Sequence, residues 1–102
     1  MDDYGFSQAD EKFSKPIGNI GERLKEIEVK YCGSYNFSDD YGAKACYIFK
    51  DKKGNEYRWY TAAKRILNKD IFYLLNGTVK KHMELENSYI ITILNRCYIK
   101  EK

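Results

Sequence analysis

The feature that most constrains the fold is a pair of aromatic-rich runs, residues 43–50 and 56–61, separated by five residues. The separating residues include Gly54 and Asn55, which suit a hairpin loop. Pairing the two runs across that loop places alternate residues on opposite faces of a two-stranded sheet. One face is then aromatic and is predicted to be core: Tyr47, Phe49, Tyr57 and Trp59.

The opposite face of this hairpin is mixed and basic, which is typical of an outer surface. A lysine-rich solvated surface is the plain interpretation, and for Arg58 and Tyr60 the pattern favours a binding role. The face carries Lys44, Cys46, Ile48, Lys50, Arg58 and Tyr60.

The rest of the chain divides into an arm and one domain. Residues 1–15 show no sustained hydrophobic period, so we predict a flexible arm there and a domain at 16–102. No run approaches the roughly 18–20 apolar residues that a spanning helix needs, which excludes a membrane protein of that kind.

The first strand is ambiguous in the sequence. Ile20, Leu24 and Ile27 are spaced as one face of a helix, whereas residues 27–31 alternate apolar and charged side chains as a half-buried strand does. Two early glycines weaken the helix, so we predict a turn at 17–22 and a strand at 24–37.

A short helix is predicted at residues 61–67, with Thr61 as its N-cap and with Ala63, Ile66 and Leu67 turned inward. Two strands follow, at 71–82 and 89–100, and Gly77 marks a bulge or bend in the first of them. The predicted inward residues are Tyr73, Leu75, Val79, Ile91, Ile93, Cys97 and Ile99, and the predicted outward residues are Thr92, Arg96 and Lys100.

Three strands, a short helix and two strands predict an all-β fold with one short helix. This order is that of a five-stranded OB-like barrel (oligonucleotide/oligosaccharide-binding), whose helix lies between strands 3 and 4. An SH3-like barrel and a small α+β roll use similar elements and remain alternatives.

Three segments, residues 16–23, 47–59 and 77–82 followed by 95–97, resemble an OB-type domain that recurs in proteins of phages and other mobile elements. The motifs that carry the resemblance are the hairpin turn, Trp59 and Gly77, which are mainly structural. The resemblance implies a role in replication or DNA handling.

Charge is distributed unevenly along the chain. Residues 1–43 carry five bases against nine acids, whereas residues 44–102 carry 13 bases against six acids. A basic half raises the odds of a polyanionic partner.

The cysteines and the single histidine argue against metal, disulfide and catalytic chemistry. Cys32, Cys46 and Cys97 are widely spaced and lie in apolar runs, so we expect reduced core thiols and a cytoplasmic protein. His82 has no nucleophile nearby in the sequence, and no glycine-rich phosphate loop is present. We therefore expect no enzyme, no metal and no cofactor.

The predicted function is binding of single-stranded nucleic acid, most simply DNA. OB-folds supply cations and aromatic faces from strands 2 and 3 and from the loops after strands 1 and 4. The first of these loops is expected to present Phe37 with two tyrosines. The candidate binding residues are Lys44, Lys50, Arg58, Tyr60, Lys80, Lys81, His82, Tyr35 and Tyr41.

The alternative is a small phage-type protein-interaction module or an inhibitor that acts on a host or phage protein. Asp39 and Asp40 lie beside Tyr35 and Tyr41, where they would repel phosphates, and tyrosine-rich loops suit protein interfaces. Self-association by pairing of strand edges is a third possibility, so the oligomeric state stays open.

Overall fold

Alternation of apolar and polar residues produces five strands in the computed structural model, which describes residues 13–102. Each strand lies within two residues of its predicted bounds. Residues 1–12, which make up most of the predicted arm, lie outside the described residues. The strands are β1 Arg23–Asp39, β2 Gly42–Asp51, β3 Glu56–Thr61, β4 Phe72–Glu84 and β5 Ile90–Glu101.

The strands close into one barrel in the order β1-β2-β3-β5-β4, with β4 pairing back onto β1. All pairs are antiparallel except β3 with β5, which is parallel. The predicted all-β barrel is therefore confirmed, and its closed, mixed five-strand topology is consistent with an OB-like fold.

Strand β1 is long enough to pair with two neighbours. Its first half pairs with β4 and its second half with β2, so that Val29 and Lys30 have partners on both sides. Its register shifts between Leu24 and Ile27, where Glu26 has a φ of 49°, and again between Tyr31 and Gly33. Bulges of this kind bend a strand, which lets β1 curl around the barrel.

The barrel interior is aromatic, as predicted. Tyr47, Phe49, Tyr57 and Trp59 are all buried in one cluster that also contains the predicted β4 residues Tyr73, Leu75 and Val79. A Cβ at Gly77 would lie 2.9 Å from Cys97 Sγ and 3.0 Å from Leu94 Cδ1. The register shifts at this glycine, which confirms the predicted irregularity.

The side chain of Asp51 organises the predicted hairpin turn between β2 and β3. Its Oδ1 accepts hydrogen bonds from the backbone N–H groups of Lys53 and Asn55, at 2.9 and 3.0 Å. Its Oδ2 accepts one from the buried Tyr57 hydroxyl at 2.8 Å. The turn is thereby tied directly to the core.

Hydrogen bonds of Ser14 attach the N-terminal end of the described residues to β3 and β5. Its Oγ donates to the carbonyl of Ile90 at 2.6 Å and accepts the N–H of Glu56 at 2.9 Å. The residue is buried, so these bonds satisfy the polar groups where the parallel pair begins.

The predicted helix at residues 61–67 is wrong, because no helix occurs within residues 13–102. Hydrogen bonds with tyrosine hydroxyls of the barrel hold this segment, in place of the backbone hydrogen bonds of a helix. Tyr47 Oη donates to the Ala63 carbonyl at 3.3 Å and accepts the Arg65 N–H at 2.7 Å, and Tyr73 Oη accepts the Asn68 N–H at 2.8 Å.

The side chains of this loop also depart from the prediction. Ala63 and Ile66 are exposed rather than inward, and Leu67 alone packs against the core. Thr61 Oγ1 accepts the Ala63 N–H at 3.0 Å, so the capping contact forms without a helix behind it. In the part of the chain that is described, no helix is long and apolar enough to cross a membrane.

Strand β5 corrects the predicted facing of its first half. Thr92, predicted outward, is fully buried and pairs with Tyr57, and its Oγ1 accepts the Ile17 N–H at 3.0 Å. Ile91 and Ile93 are both buried, as predicted, but they alternate with Thr92 and neither belongs to the core cluster that contains Leu94. The alternation changes phase near Arg96, whose φ is 53°, so Cys97 and Ile99 pack against the core as predicted.

Candidate nucleic-acid interface

Three aromatic rings lie side by side on the outer surface of β1 and β3, and we call Tyr35, Phe37 and Tyr60 the aromatic shelf. The Phe37 ring centroid is 6.1 Å from that of Tyr35 and 5.9 Å from that of Tyr60, which it meets edge to face. Tyr35 is 43% exposed, and the other two rings are half-buried. The shelf therefore presents ring surface to solvent on a rigid sheet.

Strand register explains why these rings meet. Cys46 of β2 pairs with Tyr35 on one side and with Tyr60 on the other, so the three residues form one row across the sheet. Cys46 is fully buried beneath the shelf, and burial raises the pKa of its thiol. A hydrogen bond with Tyr60 raises the pKa of Tyr35, so the Tyr35 phenol is neutral at physiological pH.

The hairpin between β1 and β2 borders the shelf and carries a cation that is already paired. Lys44 Nζ lies 3.0 Å from Asp39 Oδ2 and 5.5 Å from the centroid of the Tyr41 ring. The backbone N–H of Tyr41, followed by Lys44, lowers the pKa of Asp39, so this carboxylate stays charged. Tyr41 itself is 87% exposed at the tip of the hairpin.

The buried carboxylate of Glu56 neutralises Arg58, a second predicted cation of this face. Glu56 Oε2 accepts a hydrogen bond from Arg58 Nε at 2.6 Å, and Glu56 Oε1 accepts one from the Tyr89 hydroxyl at 2.6 Å. Lys50 Nζ lies 5.8 Å from the centroid of the Tyr89 ring. Arg58 therefore contributes little net positive charge, whereas Lys50 forms no ion pair with a carboxylate among residues 13–102.

The structure does not place Lys80, Lys81 and His82 beside the shelf. They lie within β4, which pairs with β1 and β5 rather than with β2 or β3. Both lysines are exposed, whereas His82 is half-buried, with Nε2 3.2 Å from the Ile17 carbonyl. The predicted site is thus divided between two walls of the barrel.

Sequence reasoning missed the contacts that Glu56, Tyr89 and Phe37 make at this surface. Glu56 begins β3 and Tyr89 lies in the loop before β5, and the parallel pairing of β3 with β5 brings them together. Phe37, at the end of the predicted strand 24–37, was expected beside Tyr35 and Tyr41, but its ring contacts Tyr35 and Tyr60. The alternation of residues 35 and 37 was the available signal.

The cysteines differ from one another in burial. Cys46 is buried and Cys97 is half-buried, but Cys32 is exposed, so the prediction of a core thiol is wrong for Cys32. Among residues 13–102, no three His, Cys, Asp or Glu side chains are grouped so that they could hold a metal ion.

Comparisons with protein-family models, with curated proteins and with solved structures each found no match.

Proposed function

We propose that this barrel is an OB-like domain of the phage and mobile-element type, and that it binds single-stranded nucleic acid, most simply DNA, without catalysing a reaction. The aromatic shelf carries this proposal. The strand order β1-β2-β3-β5-β4 and the resemblance of the sequence to such domains support the classification.

Stacking is the interaction that the shelf can supply. A base stacked on an aromatic side chain contributes about 1–3 kcal/mol and is accepted whatever its identity, since every base has a π-face. Tyr35 offers the largest exposed ring face, and its neighbours Phe37 and Tyr60 hold it in place. Paired bases in a duplex do not present their faces, so the shelf favours single strands.

Electrostatics contribute modestly at this face. Lys44 and Lys50 are the cations available to phosphates, and Lys44 must share its charge with Asp39. For a single strand, the logarithm of the binding constant falls with the logarithm of the salt concentration at a slope of roughly −0.7 per phosphate contact. Two contacts therefore predict a slope of about −1.4. Binding is therefore expected to be weak and largely independent of sequence.

Fluorescence anisotropy with labelled oligonucleotides at two salt concentrations tests the proposal. Tyr35→Leu removes the ring and should weaken binding by about 1–3 kcal/mol, whereas Tyr35→Phe keeps the ring and should bind nearly as wild type does. Undetectable binding of every oligonucleotide at low salt would remove the proposal. Equal affinity for duplex and single strand would reduce it to nonspecific charge.

A second candidate function is binding of a host or phage protein through the β1–β2 hairpin. The observation that favours it is the exposed Tyr41 beside paired Lys44 and Asp39, because an aromatic ring bordered by compensated charge suits a protein interface. If no oligonucleotide binds, affinity capture with wild type and Tyr41→Ala becomes the deciding comparison. A partner retained equally by both proteins would contradict this candidate.

A further inference from the structure

A second combination of cations and an exposed ring lies on the outer surface of β1, β4 and β5. We call Arg23, Lys80, Arg96 and Tyr98 the rear surface. Register brings its parts together, because Thr78 of β4 pairs with Arg23 on one side and with Asn95 on the other. Tyr98 follows two residues after Arg96 and is 58% exposed.

Two hydrogen bonds hold Arg23 in place on this surface. Its Nη1 donates to the backbone carbonyl of Arg96 at 2.6 Å and to Thr78 Oγ1 at 3.2 Å. Arg96 has a φ of 53°, a left-handed conformation that is unfavourable for a residue other than glycine. The Arg23 guanidinium is therefore fixed beside the backbone of β5 at Arg96.

The cations of the rear surface differ in their pairing from Lys44 and Arg58, two of the three cations near the aromatic shelf. Within the described residues 13–102, none of Arg23, Lys80 and Arg96 forms an ion pair, whereas Lys44 and Arg58 each have a carboxylate partner. Unpaired cations attract phosphates without first losing a carboxylate partner. The rear surface is thus better suited than the shelf to contact a phosphate backbone.

The two surfaces are adjacent through β5. Asn95 pairs with Thr78 of β4, and it directly follows Leu94, which pairs with Trp59 of β3. Asn95 thus lies between the strand that carries Tyr60 and the strand that carries Lys80. Its Oδ1 is buried and has no hydrogen-bond partner among the described residues.

We propose that the rear surface is a second contact site for the same single strand, with phosphates on Arg23, Lys80 and Arg96 and a base on Tyr98. This inference rests on the proposed function of the shelf. A strand that leaves the shelf at Tyr60 passes over β5 near Asn95 and reaches the rear surface. Only an oligonucleotide long enough to cover both sites gains from the second one.

Oligonucleotide length provides the test, because OB-folds occupy about 4–16 nucleotides. Anisotropy is measured with thymidine oligomers of about 5 and about 15 nucleotides, lengths chosen near the ends of that range. Tyr98→Leu should weaken binding of the longer oligomer about tenfold, the effect of losing one stacked base, while the shorter oligomer binds as before. Tyr98→Phe should retain the wild-type affinity for both.

Charge is tested separately with Lys80→Gln/Arg96→Gln. This double variant should flatten the salt slope of the longer oligomer by about 1.4, since two phosphate contacts are removed. The matched control is Lys15→Gln/Lys53→Gln, which removes two exposed charges elsewhere and should leave the slope unchanged. Thermal melts of each variant verify folding.

The outcomes separate the two proposals. If Tyr35→Leu weakens both oligomers and the rear variants weaken neither, the shelf stands and the rear surface is refuted. If control and rear variants flatten the slope equally, general charge explains it and the rear surface is again refuted. Loss of all binding in the wild type would instead refute the proposed function itself.

Discussion

Truncation of Trp59 tests the proposed core of the barrel. The indole is only 6% exposed. Its ring centroid lies 5.7 Å from that of Tyr47 and 5.6 Å from the Arg65 guanidinium carbon. A buried aromatic side chain of roughly 200 Å² contributes about 5 kcal/mol at about 25 cal/mol per Å². Partial collapse of the cavity offsets some of this, so Trp59→Ala should lower the free energy of unfolding by about 3–5 kcal/mol.

Urea denaturation followed by circular dichroism measures this loss, since the variant lacks the tryptophan that fluorescence would follow. Tyr98→Ala is the matched control, because it also deletes an aromatic ring but from a position that is 58% exposed. Its loss should stay below about 1 kcal/mol, as is usual for surface substitutions. A Trp59→Ala loss no larger than that of the control would refute the assignment of the aromatic face to the core.

Three further predictions concern packing, pH and thiol access. Gly77→Ala should destabilise the barrel by about 1–3 kcal/mol in the same urea assay, because its Cβ overlaps Cys97 and Leu94; a neutral effect would show that β4 can shift there. Lys102, followed by Lys52, lowers the pKa of Glu28 below its ordinary value of 4.5. A lowered folded-state pKa gives stability that is present above 4.5 and lost as pH falls through the folded-state pKa, so Glu28→Gln should flatten the fall of the melting temperature below pH 4.5; an unchanged profile would argue against these ion pairs. Burial raises the pKa of all three thiols, that of Cys97 to about 12, but only Cys32 has an exposed side chain. Because access then decides the rate, a thiol reagent at neutral pH should modify Cys32 of the native protein faster than the other two, and a second cysteine that reacts as fast would contradict the burial of Cys46 and Cys97.

Local alternation was sufficient to predict the strands and the aromatic core. The pairing of β2 with β3 could be predicted because the residues of the connecting turn, among them Asp51 and Asn55, are typical of a hairpin. In the folded turn, Asp51 Oδ1 accepts hydrogen bonds from the backbone N–H groups of Lys53 and Asn55. The helix prediction failed because helical propensity was outweighed by tertiary contacts. The hydroxyls of Tyr47 and Tyr73 form hydrogen bonds with the backbone of the loop, and both tyrosines lie outside the predicted helix.

The facing of β5 could not be predicted from a constant period of two. A residue in the left-handed region changes which side chains point inward, and nothing in the sequence marks Arg96 as such a residue. The candidate site was predicted in part for a similar reason. Tyr60 was recognisable from the alternation of the hairpin and Tyr35 from its expected place near the loop after the first strand. The neutralisation of Arg58 by Glu56 depends on side-chain geometry that only the folded barrel defines.

A titration of the ¹⁵N-labelled protein with a thymidine oligomer, followed by two-dimensional NMR, tests the central claim most directly. We predict that the largest shift changes occur at the amides of Tyr35, Phe37 and Tyr60, and that they are absent with a duplex of equal length. Changes confined to the tip of the β1–β2 hairpin, or no changes at millimolar oligomer, would contradict binding of single strands on the aromatic shelf.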